Sequence, residues 1–260
     1  MLTDLRNEKL DIIILAGQSN SMGAGSGEAD DPFEPNADIL LMERNFTIGM
    51  AQERWFNNRI LSCFGFSFAR EYIKNGNLRP GRKILLVKAA EGGTTFVDNH
   101  WGVGDEFYEG MIKMTNVALG LNPENRLLAL LWHQGENDIM AFVRREDESD
   151  GALKEIGEWY YAKLKTLVET ARETFGIENL PFVAGDYSYD WKEANPAACE
   201  AFKNATKSLC ADISNAGFVE TDGLTSNAYE NNSNDTVHFS RRALYPLGAR
   251  YYEKYCGITK

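Results

Sequence analysis

Short apolar runs, each separated from the next by a longer amphipathic stretch, constrain this chain most: residues 11–15, 84–89, 127–132, 182–184 and 217–220. They lack the polar alternation of a strand with one wet face, which is how strands buried on both faces read. Helical spacing fills the gaps at 66–75, 107–121, 153–175, 197–211 and 243–255, and the first of these ends in Asn75-Gly76, a helix-stop pair. Strands alternating with helices predict β-α-β units with right-handed crossovers, hence an α/β fold in which a central five-stranded parallel sheet forms the middle of a three-layer α/β/α sandwich. A chain of 260 residues, 43% hydrophobic, suits one domain of this kind. Residues 28–58 are less regular: Asp30-Asp31-Pro32 and Glu34-Pro35-Asn36 predict a loop, with a short strand at 39–42, and the polar run 227–234 reads as a second loop.

Charge narrows the partners. The 27 Lys and Arg against 38 Asp and Glu leave a net charge of −11, a surface that repels phosphate backbones and anionic lipid. No nucleic-acid or membrane partner is expected, and a neutral small molecule or oligosaccharide is favoured. Cys63, Cys199, Cys210 and Cys256 are widely spread with no C-x-x-C pair, so they read as buried thiols and not as disulfides. The polar, mixed-charge residues 1–9 lack the apolar core of a signal sequence, and a cytoplasmic location is expected.

The first apolar run ends at Gly17-Gln18-Ser19-Asn20, where a hydroxyl is presented at a strand end. Ligands and chemistry collect at the carboxyl ends of such strands. The pattern is not the G-x-S-x-G elbow, because Ser21 stands where the second glycine belongs. With only three histidines, His100, His133 and His238, the search for a base is short. His238 is favoured: in Asp235-Thr236-Val237-His238, a carboxylate three residues upstream reaches one ring nitrogen while the other faces a nucleophile. His133 reads as a buried, satisfied imidazole, and His100 as a surface or rim residue. After His133, Gln134 offers an amide donor for an oxyanion, while Glu136 orients an imidazole, binds a substrate hydroxyl or is simply a loop acid. Gly92-Gly93-Thr94 follows the second run and lets the Gly93 amide approach a ligand, although a plain turn explains it equally. Neither this loop nor Gly23-Ala24-Gly25-Ser26-Gly27 ends as a P-loop does, and no H-E-x-x-H or paired cysteines predict a metal.

Taken in order, Gly17-Gln18-Ser19-Asn20, Gly92-Gly93-Thr94, His133-Gln134-Gly135-Glu136 and Asp235-Thr236-Val237-His238 resemble the SGNH/GDSL-like hydrolases. Within them the likeness is to the sialate O-acetylesterase and acetylxylan esterase branch, carbohydrate esterase family six. It spans nearly the whole chain. The resemblance implies a flavodoxin-like fold and a serine esterase that uses neither metal nor cofactor. It also implies Ser19 as nucleophile, His238 as base, Asp235 as the acid orienting it, and an oxyanion hole from the Ser19 and Gly93 amides with the Gln134 side chain. The broader superfamily carries asparagine where this chain has Gln134. Gln18, Asn20, Thr94, Glu136 and Trp101 are candidates for substrate contact or support, and Phe96, Tyr187, Tyr189 and Trp191 are further aromatic candidates for the rim. Two rival classes share these residues: an esterase or thioesterase on non-carbohydrate acyl groups, and a carbohydrate-binding relative without chemistry.

A histidine base works only when neutral. The expected pH-rate profile therefore falls as pH drops below ~6.5, the ordinary histidine range. An acyl-transfer rate that stays flat well below that range counts against His238.

Overall fold

A computed structural model describes residues 5–231 and 233–260. A 3-10 turn at Leu5–Asn7 leads into β1 (Lys9–Gly17), the short helix α1 (Ser19–Met22), β2 (Ile39–Met42), β3 (Ile48–Met50) and the pair β4 (Arg54–Phe56) and β5 (Arg59–Leu61). Then come α2 (Phe64–Lys74), β6 (Arg82–Lys88), α3 (Glu106–Gly120), β7 (Arg126–His133), α4 (Glu136–Val143) and α5 (Asp150–Phe175). The chain ends with β8 (Phe182–Gly185), α6 (Tyr189–Ala194), α7 (Pro196–Asp212), β9 (Ala216–Val219), α8 (Asn227–Asn231) and α9 (Arg241–Ile258).

The main sheet has the order β3-β2-β6-β1-β7-β8-β9. All neighbours run parallel except β3, which pairs antiparallel with β2 at the edge. The expected five strands are β6-β1-β7-β8-β9, in the flavodoxin-like order. The sheet has seven because the irregular 28–58 stretch contributes β2 and β3 as an added flank, and its tail begins the separate β4-β5 hairpin. That hairpin turns through Asn57 and Asn58, both at positive φ. The polar run 227–234, read as a loop, opens with α8.

β1 shows why the apolar runs are continuous. Leu10, Ile12, Ile14 and Ala16 pack into one core layer with α3, α5 and α7, whereas Ile13 and Leu15 pack into the other with α2 and α9. Alternation exists, but both faces are dry. At the opposite end from Ser19, buried Asp11 accepts from Arg82 Nε (2.5 Å) and from Arg126 Nε and Nη2 (2.6 and 2.9 Å). These bonds outweigh the burial that alone would raise its carboxyl and hold it below the usual range. Of the cysteines, Cys63, Cys199 and Cys210 are buried, Cys256 is partly so, and all are free thiols. Among the described residues no helix is long and apolar enough to cross a membrane.

β1 ends where the strand order reverses between it and β7, and the chain escapes there through Gly17 at φ +113°. A Cβ at Gly17 would lie 2.1 Å from the His133 carbonyl oxygen, so only glycine lets β1 and β7 stay paired to their ends. Gly17→Ala is expected to cost at least ~3 kcal/mol of stability in urea unfolding, combining a disfavoured backbone with that overlap. Gly76→Ala, at φ +74° but in open space, should cost only ~1 kcal/mol. Equal losses at the two positions would refute the close-approach argument.

Candidate active site

Residues far apart in the chain meet at the carboxyl edge of the sheet. Ser19 opens α1 directly after β1 and is 8% exposed. His238 Nε2 lies 2.8 Å from Ser19 Oγ, and His238 Nδ1 lies 2.8 Å from Asp235 Oδ2. The turn carrying His238 is built locally. Asp235 Oδ1 accepts from the His238 backbone N–H three residues on, at 3.1 Å, and Ser240 caps α9 by accepting from Ala243 N at 3.1 Å. The turn is also tied down from outside: Asn227 N donates to His238 O at 2.8 Å, and Ser188 Oγ donates to Thr236 O at 2.5 Å.

Partial burial alone would raise the Asp235 carboxyl, but bonds from His238 and Asn227 Nδ2 outweigh it and hold the group below the usual carboxylate range. Asp235 is therefore an ionised partner for the imidazole at neutral pH. A hydroxyl, an imidazole and a carboxylate linked in series favour deprotonation of the hydroxyl when it attacks an electrophile.

The second glycine-containing loop closes the other side. A Cβ on Gly92 would sit 3.8 Å from Ser19 Cβ, and Gly93, at φ +77°, is exposed. Among the described residues, neither the Ser19 nor the Gly93 amide has an acceptor. Gln134 Nε2 lies between the neighbours of these two amides, 3.3 Å from Thr94 O and 3.4 Å from Gln18 Oε1. Its short bond, 2.5 Å, goes to Asp138 Oδ2. One N–H of Gln134 is thus committed to Asp138, while the other makes only long contacts that it can exchange for a stronger acceptor. The Tyr160 hydroxyl lies 2.7 Å from the Gln134 carbonyl oxygen and 3.1 Å from its Oε1, so its one hydrogen ties down this residue. Gln18 Oε1 accepts from the Gly135 and Asn137 amides at 3.3 and 3.4 Å, joining the end of β1 to the start of α4.

The remaining candidates divide between support and surface. Thr94 Oγ1 accepts from Trp101 Nε1 at 2.8 Å, so fully buried Trp101 braces the glycine loop and does not form a rim. Phe96, Tyr187 and Trp191 are likewise buried, and only Tyr189 is exposed. His100 Nδ1 accepts from Thr95 N at 3.0 Å within the same loop. His133 is buried but incompletely satisfied: Nδ1 is 3.1 Å from Tyr251 Oη, while Nε2 has only a 3.4 Å approach to Glu136 Oε1. Glu136 does not contact His238 and instead accepts from Asn20 Nδ2 at 2.6 Å. Among the described residues no group of three or more His, Cys, Asp or Glu converges as metal ligands would.

Two site residues escaped the sequence reading. Asn227 orients Asp235 from within a polar run, where nothing distinguishes it from its neighbours. Asp138 accepts from the Phe96 and Val97 amides at 3.0 Å as well as from Gln134, and so sets the glycine loop against α4. Its only sequence signal is its position two residues beyond Glu136.

Residues 9–257 match the family model described as carbohydrate esterase, sialic acid-specific acetylesterase. A probable 9-O-acetyl-N-acetylneuraminic acid deacetylase of Escherichia coli (strain K12) is 28% identical over 149 residues, a match covering 50% of this chain and 44% of that protein. A probable carbohydrate esterase of Arabidopsis thaliana is 26% identical over 268 residues, covering 94% of this chain and 89% of the relative. Among solved structures, NanS superposes with a TM-score of 0.76 at 19% identity, over 96% of this chain and 98% of NanS. An Arabidopsis thaliana protein superposes at 0.73 and 22% identity, also over 96% and 98%.

Asp138 supplies a measurable signature of the site. Burial pushes its carboxyl up from 3.8 to about 6, against the bonds from Gln134, Val97 and Phe96. The folded chain then takes up a proton at a higher pH than the unfolded chain does. Stability from this group is full below the unfolded value and is lost as pH rises through about 6. Relative to Asp138→Asn, the wild-type chain should gain up to ~3 kcal/mol in urea unfolding as pH falls from 7 to 4. Parallel stability curves for the two proteins would rule this out.

Proposed function

We propose that this chain, which belongs to the sialic acid-specific acetylesterase family of carbohydrate esterases, removes O-acetyl groups from carbohydrate through a serine acyl-enzyme. Family membership makes it a carboxylic ester hydrolase of the acetylesterase type. The observation that carries the serine mechanism is the unbroken series Ser19 Oγ, His238 Nε2, His238 Nδ1 and Asp235 Oδ2, with 2.8 Å at each hydrogen bond.

In the first half-reaction His238 Nε2 takes the Ser19 proton as Oγ attacks the acetyl carbonyl carbon. The charge developing on the carbonyl oxygen is met by the Ser19 and Gly93 amides and by the second N–H of Gln134. Asp235 keeps the other ring nitrogen protonated and stabilises the imidazolium. When the tetrahedral adduct collapses, the ester C–O bond breaks and His238 returns its proton to the departing sugar oxygen, leaving acetyl-Ser19. In the second half-reaction His238 deprotonates a water that attacks this ester, Ser19 recovers its proton, and acetate leaves.

Gln18, Thr94, Trp101 and Asp138 serve this chemistry indirectly, by holding the donors in place. The activities for which the relatives are named, together with the net charge of −11, support sugar acetyl esters over nucleic-acid or membrane-bound substrates.

The test is acetate release from O-acetylated xylo-oligosaccharide and from O-acetyl sialic acid, run beside a short acyl thioester. Covalent labelling of Ser19 by a fluorophosphonate is followed in parallel. Ser19→Ala should abolish labelling and turnover, and Gln134→Ala should lose roughly 10²-fold in kcat while remaining folded. Labelling elsewhere than Ser19 would sink the mechanism, turnover of the thioester alone would move the substrate outside carbohydrate, and a fully active Gln134→Ala would remove Gln134 from the oxyanion hole.

A further inference from the structure

Asn20, the residue after Ser19, is fully buried and holds the segment that carries the base with both ends of its amide. Its Oδ1 accepts from Phe239 N at 3.1 Å, and its Nδ2 donates to Val237 O at 3.2 Å. The peptide groups on both sides of His238 are therefore held by one amide. The second Nδ2 hydrogen goes to Glu136 Oε1 at 2.6 Å. Turned over, the amide would set its oxygen against a carboxylate and a carbonyl, and its N–H groups against the Phe239 N–H. All three contacts would become repulsive.

Glu136 is an odd residue for mere packing. It is wholly buried, and among the described residues no lysine or arginine pairs with it and its Oε2 has no partner. Among the described residues the basic group facing it is His133 Nε2, at 3.4 Å, and Tyr160, Tyr187 and Tyr251 are further titratable groups around it. Desolvating a carboxylate this way is unfavourable, and an uncharged side chain would fill the space at less cost. What the carboxylate supplies is a strong acceptor of fixed direction.

We propose that Glu136 is a positioning residue for His238: by selecting one orientation of the Asn20 amide, it fixes the 237–239 turn against Ser19 and so sets the Oγ to Nε2 distance. This rests on the reading of Ser19 and His238 as nucleophile and base. Asp235 orients the ring, and Glu136 locates the backbone from which the ring hangs. The nucleophile and the link to the base are adjacent residues, so a shift at Glu136 is felt as a misalignment of the pair and not as a loss of substrate contact.

The experiment follows p-nitrophenyl acetate hydrolysis and fluorophosphonate labelling of Ser19 with the whole chain. Glu136→Leu and Asn20→Ala should each lower kcat about 10- to 100-fold with KM within about threefold, the signature of misplaced reacting groups. The double variant should be no slower than the slower single, because both act through one link. Glu136→Gln keeps an oxygen for Asn20 and should restore kcat to within about fivefold of wild type. Additive losses, a wild-type kcat in Glu136→Leu, or a Glu136→Gln as slow as Glu136→Leu would each overturn the proposal. If Glu136→Leu does not fold, Asn20→Ala decides alone: the same kcat loss at unchanged KM supports the link, and a wild-type kcat overturns it. A wild-type chain that neither labels nor turns over overturns the nucleophile assignment and this role with it. A reactive wild type with unaffected variants overturns this role alone.

Discussion

Everything at the site depends on β1 being the strand at which the sheet changes direction. It is paired along its length to β6 on one side and β7 on the other, and it packs against helices on both faces. A strand so enclosed has little freedom at its end. Its last residue, Gly17, lies against the backbone of His133, and the next peptide amide, from Gln18, donates to the His133 carbonyl at 2.9 Å. Ser19 is thereby delivered to a point fixed by sheet hydrogen bonds before any catalytic contact forms. The loops after β6 and β7 leave from either side of that point, and the segment before α9 closes over it. Pre-organisation here is a property of the sheet, and the side chains refine it.

Much of this was legible in the residues. The five parallel strands and the two helical layers followed from apolar runs and helical spacing, because a doubly covered strand must be apolar on both faces. Ser19, Gly93 and Gln134 could be singled out as candidates because they follow apolar runs at strand ends, and His238 and Asp235 because the chain has three histidines and one of them stands three residues after a carboxylate. What could not be read were features that depend on three-dimensional neighbours. Within 28–58 only the short strand at 39–42 could be read, and it is β2; β3 is a strand because β2, paired to β6, offers it an open edge. Trp101 reads as a sugar platform by its chemistry, yet its indole N–H is needed by Thr94 and its ring by the core. Asp138 is one loop acid among many until the glycine loop folds back to donate two amides to it.

On the proposed mechanism the site must stabilise an oxyanion, a task poorly served by negative charge, yet Asp235, Glu136 and Asp138 all cluster around Ser19. The resolution lies in what each carboxyl faces. Asp235 accepts from His238, Glu136 from Asn20, and Asp138 from Gln134, Phe96 and Val97. In each case the charge ends on an N–H whose position matters to the chemistry, and none of the three is hydrogen-bonded to the Ser19 hydroxyl. In the proposed mechanism the three acids exchange free field for fixed orientation: one would set the tautomer of His238, one its backbone, and one the glycine loop with Gln134. The full burial of Glu136 and Asp138, which would be unfavourable in a scaffold, is what makes their hydrogen bonds directional and hard for water to compete with. On this view the local donors that meet the oxyanion need only outweigh a field already spent on positioning them, which is a smaller task than the formal charge around Ser19 suggests.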